Sequence, residues 1–301
     1  MSVRTPVRPA PSGPAHRSAP PRRGASRLSS DRRGPLGYTV LVVAGLLTLF
    51  PFLSGVLNSL RTSGEIGADP WGLPSSPVWS NYTDVLGGGA FWQTLLNSVV
   101  IAALTLALVL VAGTMAAYAV SRLRFRGRES VYSFFTLGLL FPAAVAILPL
   151  YLMVRQLGLM NSPLGVALPQ AAFALPVTIV VLRPFFASIP RELEEAAQLD
   201  GAGHLRFFTR IVLPMSVPPL ITVSILALVT SWNSFLLPLL ILPSQESWTL
   251  PLGLSQFAGS YLFDTAKILA YTILAMLPTI LVYAVAERRI VQGLAAGAVK
   301  G

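Results

Sequence analysis

Six long intervals without a charged residue set the limits on what this chain can fold into. They cover 34–60, 85–121, 130–154, 156–182, 211–245 and 268–286, and each is rich in Leu, Val, Ile, Ala and Phe. A helix that crosses the hydrocarbon core of a bilayer needs about 20 apolar residues and tolerates almost no ionised side chain near its middle. Each interval is long enough to cross once, and none comfortably holds two helices and a turn. The 301 residues are 53% hydrophobic and only 11% charged, whereas soluble domains carry about 25% charged residues. The sequence therefore predicts an all-α, polytopic membrane protein with six transmembrane helices. A shorter interval, 247–263, carries Ser, Gln, Gly and Trp and reads as an interfacial segment.

Loops that stay in the cytoplasm accumulate Lys and Arg, and the basic residues sort accordingly. Eight Arg precede the first span, four (Arg122, Arg124, Arg126, Arg128) lie between spans two and three, and four (Arg183, Arg191, Arg206, Arg210) between spans four and five. Arg288, Arg289 and Lys300 follow the last span; the remaining connections hold only Arg61, Arg155 and Lys267, together with most of the acids outside 188–214. Both termini are expected inside the cell. Topology thus accounts for the net charge of +10, and no nucleic-acid partner is expected. Cysteine is absent, which excludes disulfides and Cys-ligated metals.

Residues 1–34 contain eight Arg, six Pro and six Ser with almost nothing large and apolar. Such a tail cannot bury enough surface to offset its chain entropy, so it is expected to be disordered and cytoplasmic. Residues 35–301 form the membrane domain. The external connection between spans one and two, with Pro70, Trp71, Pro74, Pro77, Trp79 and Tyr82, reads as ordered loop plus a short surface helix, or equally as partner-contacting surface. Pro51, Pro142, Pro149, Pro169, Pro176, Pro238 and Pro278 fall inside spans, where they imply kinks rather than termination.

The chemistry that is missing narrows the function. His16 and His204 are the only histidines, and the spans hold no ionisable group of the kind proton-driven carriers use. Neither lysine stands in a phosphate-binding G-x-x-x-x-G-K-[ST] loop, since Lys267 follows Ala266 and Lys300 follows Val299. No catalytic residue, metal or cofactor is expected, and any energy for uphill transport must come from another polypeptide at a cytoplasmic surface.

One charged passage stands apart: "SIPRELEEAAQLDGAGHLRFFTRIVLP", 188–214. Ser188 reads as an N-cap, Pro190 suits the first turn, and Glu192, Glu194 and Glu195 sit where the helix dipole favours negative charge. Gly201 reads as the terminating glycine. Leu193, Ala196, Ala197 and Leu199 supply an apolar patch with small residues at its centre, which lets another body approach the backbone. Phe207, Phe208 and Ile211 form an edge suited to the bundle, with Arg206 and Arg210 facing headgroups or a partner. On residues alone, a simple amphipathic linker explains the passage equally well.

The spacing of Glu195-Ala196-Ala197, Gly201, Ile211 and Leu213-Pro214 resembles the EAA loop of permease subunits in bacterial ATP-binding-cassette importers. The longer match resembles the version in sugar importers of the maltose type. "FPAAVAILPLYLMVRQLGLMNSPLGVALP", "FFASIPRELEEAA", "SWNSFLLPL" and the closing "VQGLAAGAVKG" resemble the same family, the last its shorter permease subunit. The resemblance implies the type I importer permease fold in the bacterial plasma membrane. It further implies docking of ATPase subunits, which would bind the ATP, through Glu195, Ala196, Ala197, Asp200 and Gly201. The partners it implies are a second, related permease subunit in a heterodimer, two copies of the ATPase and an extracytoplasmic solute-binding protein, all within membrane lipid. Polar groups at membrane depth, Asn97 in span two and Trp232 and Asn233 in span five, are candidates for a sugar path, or for interhelical packing alone. An ATP-independent channel or carrier, an importer of a non-sugar solute and a membrane scaffold are the alternatives.

Overall fold

The computed structural model describes residues 35–257 and 264–298. The N-terminal tail, part of the predicted interfacial segment and the last three residues lie outside the described residues. The helices are α1 Pro35–Ser59, α2 Ser63–Ala68, α3 Ser80–Gly87, α4 Gly89–Leu108, α5 Thr114–Arg122, α6 Arg128–Gly138, α7 Ala143–Gln156 and α8 Pro163–Ser188. They continue with α9 Arg191–Leu199, α10 His204–Phe207, α11 Leu213–Met215, α12 Val217–Trp232, α13 Leu236–Ile241, α14 Leu250–Gly253 and α15 Thr265–Ala298. No strand occurs among the described residues.

Two compact units divide the chain, Met1–Phe50 and Pro51–Gly301. The described part of the first is the start of α1, where Thr48 turns its hydroxyl back onto the Ala44 carbonyl at 2.8 Å and so hides a donor that lipid cannot satisfy.

Four helices are long and apolar enough to cross a membrane: Gly37–Ser59, Gly89–Arg122, Pro163–Ser188 and Thr265–Ala284. Two bent pairs, α6 with α7 at 102° and His204–Met215 with α12 at 82°, bring the total to six if each pair counts as one span. The six charge-free intervals are all represented, but two of them do not run straight. Pro142 was expected to kink a helix; it stands instead at the N-cap of α7, in the 102° corner. Pro51, Pro149, Pro169, Pro176 and Pro278 do lie inside helices. Span four starts later than its interval, because Gly158 at φ +69° and Asn161 at φ +55° turn the chain first. Ser162 then caps the Gly165 amide at 3.1 Å, with Pro163 at the first helical position, a pairing that suits a helix start.

In the second unit, α4 and α5 join through a π turn at Val109–Gly113 into one 34-residue span. This span and α12 both pack on α8, and α15 packs on α12. Thr105 on α4 and Ser231 on α12 both donate to Gln170 Oε1 on α8, at 2.9 and 2.6 Å. Meanwhile Phe134, Leu140 and Leu148 are exposed. Buried hydroxyls between helices with bare apolar side chains outside is the arrangement expected where the solvent is lipid, since apolar burial alone gives helices no reason to associate there.

The connection between spans one and two is ordered by Arg61, which is 3% exposed. Its guanidinium donates to Asn58 Oδ1 and to the Asp69 and Glu65 carbonyls at 2.8 to 2.9 Å. Thr62 and Glu65 close a capping box at the start of α2, and α3 is a second short helix where one was expected.

Candidate functional site

The passage 188–214 folds into helix, break and helix, as its sequence pattern suggests. Its start differs. Ser188 is the last residue of α8 and donates its hydroxyl to the Phe185 carbonyl at 2.8 Å, so it caps nothing. The apolar run of α8 continues through it, and Pro190 takes the N-cap position of α9 without a side-chain bond. Glu192 and Glu194 fall in the first turn of α9, where the dipole favours them.

The end matches closely. Gly201 has φ +76°, its amide donates to the Gln198 carbonyl at 3.0 Å, and the Ala202 amide donates to the Ala197 carbonyl at 2.8 Å. This double bond pattern around a left-handed residue is a Schellman stop. Past it, Phe207 and Phe208 are buried with Tyr118, Phe186 and Val212, which fixes α10 to the bundle.

The five predicted docking residues divide by exposure. Glu195, Ala196, Asp200 and Gly201 are exposed, and Leu199 beside them is 90% exposed. Ala197 is only 7% exposed and belongs to the bundle core, where a small side chain lets α9 lie close. Ala196, Ala197 and Asp200 border a depression of about 360 Å³ completed by Leu193, Arg206 and Arg210. Ala197 is its floor rather than a free contact.

In the sequence Arg122 is only one of the loop cations. The structure gives it another place: its side chain is 4% exposed, and its guanidinium donates to Glu194 Oε2 at 2.8 Å and to the Ile189 carbonyl at 2.6 Å. Glu194 lies 72 residues away, and no local pattern announces the pair.

The pathway candidates separate as well. A cavity of about 510 Å³ opens between α7, α8, α12 and α13, lined mostly by apolar groups with Gln170, Thr230, Asn233 and Ser234 among them. That volume lies within the range of about 300–1,000 Å³ typical of small-molecule sites. Of the three candidates, Asn233 lines it. Trp232 faces the other way, 8% exposed in a cluster with Phe91, Leu250 and Tyr271, its Nε1 donating to the Ala275 carbonyl at 3.3 Å. Asn97 donates to the Glu246 and Trp248 carbonyls at 2.7 and 3.0 Å and so holds a loop. The helices here are apolar on all faces, so sequence could not tell which face meets the cavity.

Residues 109–291, which contain the loop and the whole of the cavity lining, match the family described as binding-protein-dependent transport system inner membrane component. The chain belongs to this family. It is a multi-pass permease component of an ATP-binding-cassette transport system in the plasma membrane, and the family consists of transport components that work with a solute-binding protein.

Relatives match nearly the whole permease. The diacetylchitobiose uptake system permease protein NgcG of Streptomyces coelicolor is 35% identical, over 89% of this chain and 90% of that one. The trehalose transport system permease protein SugB of Mycobacterium tuberculosis is 35% identical over 88% and 94%. The arabinooligosaccharides transport system permease protein AraQ of Bacillus subtilis is 31% identical over 86% and 93%. Among solved structures, a chain of a bacterial ABC transporter that imports the acidic polysaccharide alginate superposes with a TM-score of 0.72 at 25% identity, covering 84% of this chain and 94% of that one.

Proposed function

We propose that this permease imports a sugar or an oligosaccharide, driven by ATP that partner subunits bind and hydrolyse, and that α9 is where those subunits dock. The observation that carries the reading is the form of α9. It is a short helix with Glu195, Ala196 and Asp200 exposed beside a depression, stopped abruptly at Gly201 and seated on the bundle through Ala197. A small residue at the contact lets a partner approach the helix backbone, and the fixed stop keeps the helix short enough to enter a groove. The saccharide class is supported by the names of the relatives, which transport diacetylchitobiose, trehalose and arabinooligosaccharides.

The working assembly in this reading pairs the permease with a second, related permease subunit and two ATPase copies, with both termini in the cytoplasm. The solute-binding protein delivers the saccharide from outside. Closure of the ATPases on ATP displaces α9 and switches the path, in which Asn233 and its cavity neighbours offer an amide and hydroxyls to the sugar. Deletion of the gene is expected to abolish uptake of one class of radiolabelled saccharide. Wild-type permease restores it, and Gly201→Asp does not despite normal membrane insertion. Loss of a non-sugar solute with all saccharide uptake intact would overturn the substrate class.

A further inference from the structure

One guanidinium at the end of span two grips three separate pieces of chain. Arg122 Nη1 donates to the Ile189 carbonyl at 2.6 Å, Nη2 donates to Glu194 Oε2 at 2.8 Å, and its Cζ lies 5.8 Å from the Phe207 ring centroid. These partners belong to the linker before α9, to α9 and to α10. One turn back on α5, the Tyr118 hydroxyl donates to the His204 carbonyl at 3.4 Å. Both short helices of the loop are therefore tied to the same stretch of α5.

The kind of contact matters. Phe207 and Phe208 anchor α10 to the bundle, but α9 itself is packed there only through the small side chain of Ala197, which alone lets α9 peel away at small cost. An ion pair with one buried partner resists separation, because parting it leaves the Arg122 guanidinium, 4% exposed, without its counter-charge. Arginine suits the task where lysine does not, since its rigid fork serves two acceptors in different directions at once.

The other end of the same span is also gripped. Gln93 and Asn97 donate to the Glu246 carbonyl at 3.3 and 2.7 Å, Asn97 also donates to the Trp248 carbonyl at 3.0 Å, and Ser98 Oγ accepts the Leu250 amide at 2.8 Å. We infer that Arg122 is a positioning residue that clasps the ATPase-docking helix to span two, so that displacement of α9 reaches segment 246–250 through one continuous helix. The inference rests on the reading of α9 as the docking element.

The test uses the full complex in proteoliposomes, with Arg122→Gln, Arg122→Lys, Glu194→Gln and the double variant Arg122→Gln/Glu194→Gln. Two quantities are read: solute delivered per ATP hydrolysed, and amide exchange across 189–202. Arg122→Gln is expected to keep hydrolysing ATP while solute per ATP falls roughly tenfold or more, with exchange across 189–202 accelerated and 89–108 unchanged. Arg122→Lys, which keeps the charge but lacks the planar fork aimed at both acceptors, falls between. The double variant falls no further than Arg122→Gln alone, as expected for groups acting as a pair. Should Arg122→Gln fail to assemble, Glu194→Gln, which removes the partner charge without changing shape, carries the test with the same signature. Unchanged solute per ATP in the single variants, or a double variant that loses the product of both effects, overturns the clasp. A wild-type complex that hydrolyses ATP but moves no saccharide refutes the proposed function instead; the exchange comparison still judges the clasp, and unchanged exchange in Arg122→Gln rejects it.

Discussion

Replacing Gly201 with alanine isolates the contribution of a single backbone conformation to energy coupling. Gly201 holds φ +76°, and a Cβ added there meets nothing within 4 Å. The substitution introduces no clash, so its whole cost is that of holding an L residue in the left-handed region, about 1–2 kcal/mol. That corresponds to roughly a 5–30-fold shift toward an opened turn. Gly203 supplies the control: it sits at φ −73° as the residue before α10, also with nothing within 4 Å of an added Cβ. Alanine there carries no left-handed cost, and its unfolded-chain gain is set against the poorer N-cap that alanine makes at the start of α10. Hydrogen exchange on the reconstituted complex reads the difference directly, because the amides of Gly201 and Ala202 are the donors of the stop. Both should exchange about 5–30-fold faster in Gly201→Ala and no faster in Gly203→Ala, and ATP-driven uptake should fall in the first variant alone. Equal behaviour of the two variants would refute the argument that the left-handed stop sets the shape of α9.

Other consequences follow from the same structure. A Cβ at Gly165 would lie 2.1 Å from the Leu159 carbonyl oxygen, a backbone atom that cannot step aside. Gly165→Ala should therefore destabilise by about 1–3 kcal/mol or more, read as a lowered Tm of the purified permease. Asn233→Ala should raise the KM for the saccharide, whereas Asn97→Ala should leave KM near wild type and accelerate amide exchange over 246–250. At α2, a hydrogen bond from Ser75 and then the Thr62 amide hold the Glu65 carboxyl below its usual range. A depressed carboxylate contributes stability above its unfolded value of 4.5 and loses it as pH falls through the folded value. Protection of the α2 amides, taken relative to the intrinsic exchange rate at each pH, should drop as the medium is acidified below about pH 4.5, and Glu65→Gln should abolish that dependence.

Much of this permease is legible from where its charges are absent. The intervals between charged residues locate the four straight candidate spans and the two bent pairs, because an ion in hydrocarbon is excluded whatever the tertiary fold. Gly201 was equally readable, since a glycine closing a short charged helix has few other uses. The 102° corner at Pro142 was not, because a proline in an apolar run fits a kink and a break alike, and only packing decides. The turn before α8 carried its own signal in Ser162-Pro163, obscured by the uncharged interval around it. Arg122 illustrates the harder limit: its charge was visible and its topological meaning sufficient, while its partner lies in another loop brought near only by the fold.

The central claim, that 188–214 receives the work of an ATPase, meets its most direct test in cross-linking. The chain contains no cysteine, so Ala196→Cys places one thiol on the exposed face of α9 in an otherwise unreactive permease, and Leu148→Cys places one on the exposed apolar face of α7 as a control. With the ATPase co-expressed and a short thiol-to-amine reagent, Ala196→Cys should yield a permease–ATPase adduct whose amount changes on adding ATP, and Leu148→Cys should yield none. A complex that retains ATP-driven uptake yet gives no adduct at Ala196→Cys, or equal adduct at both positions, would contradict the account.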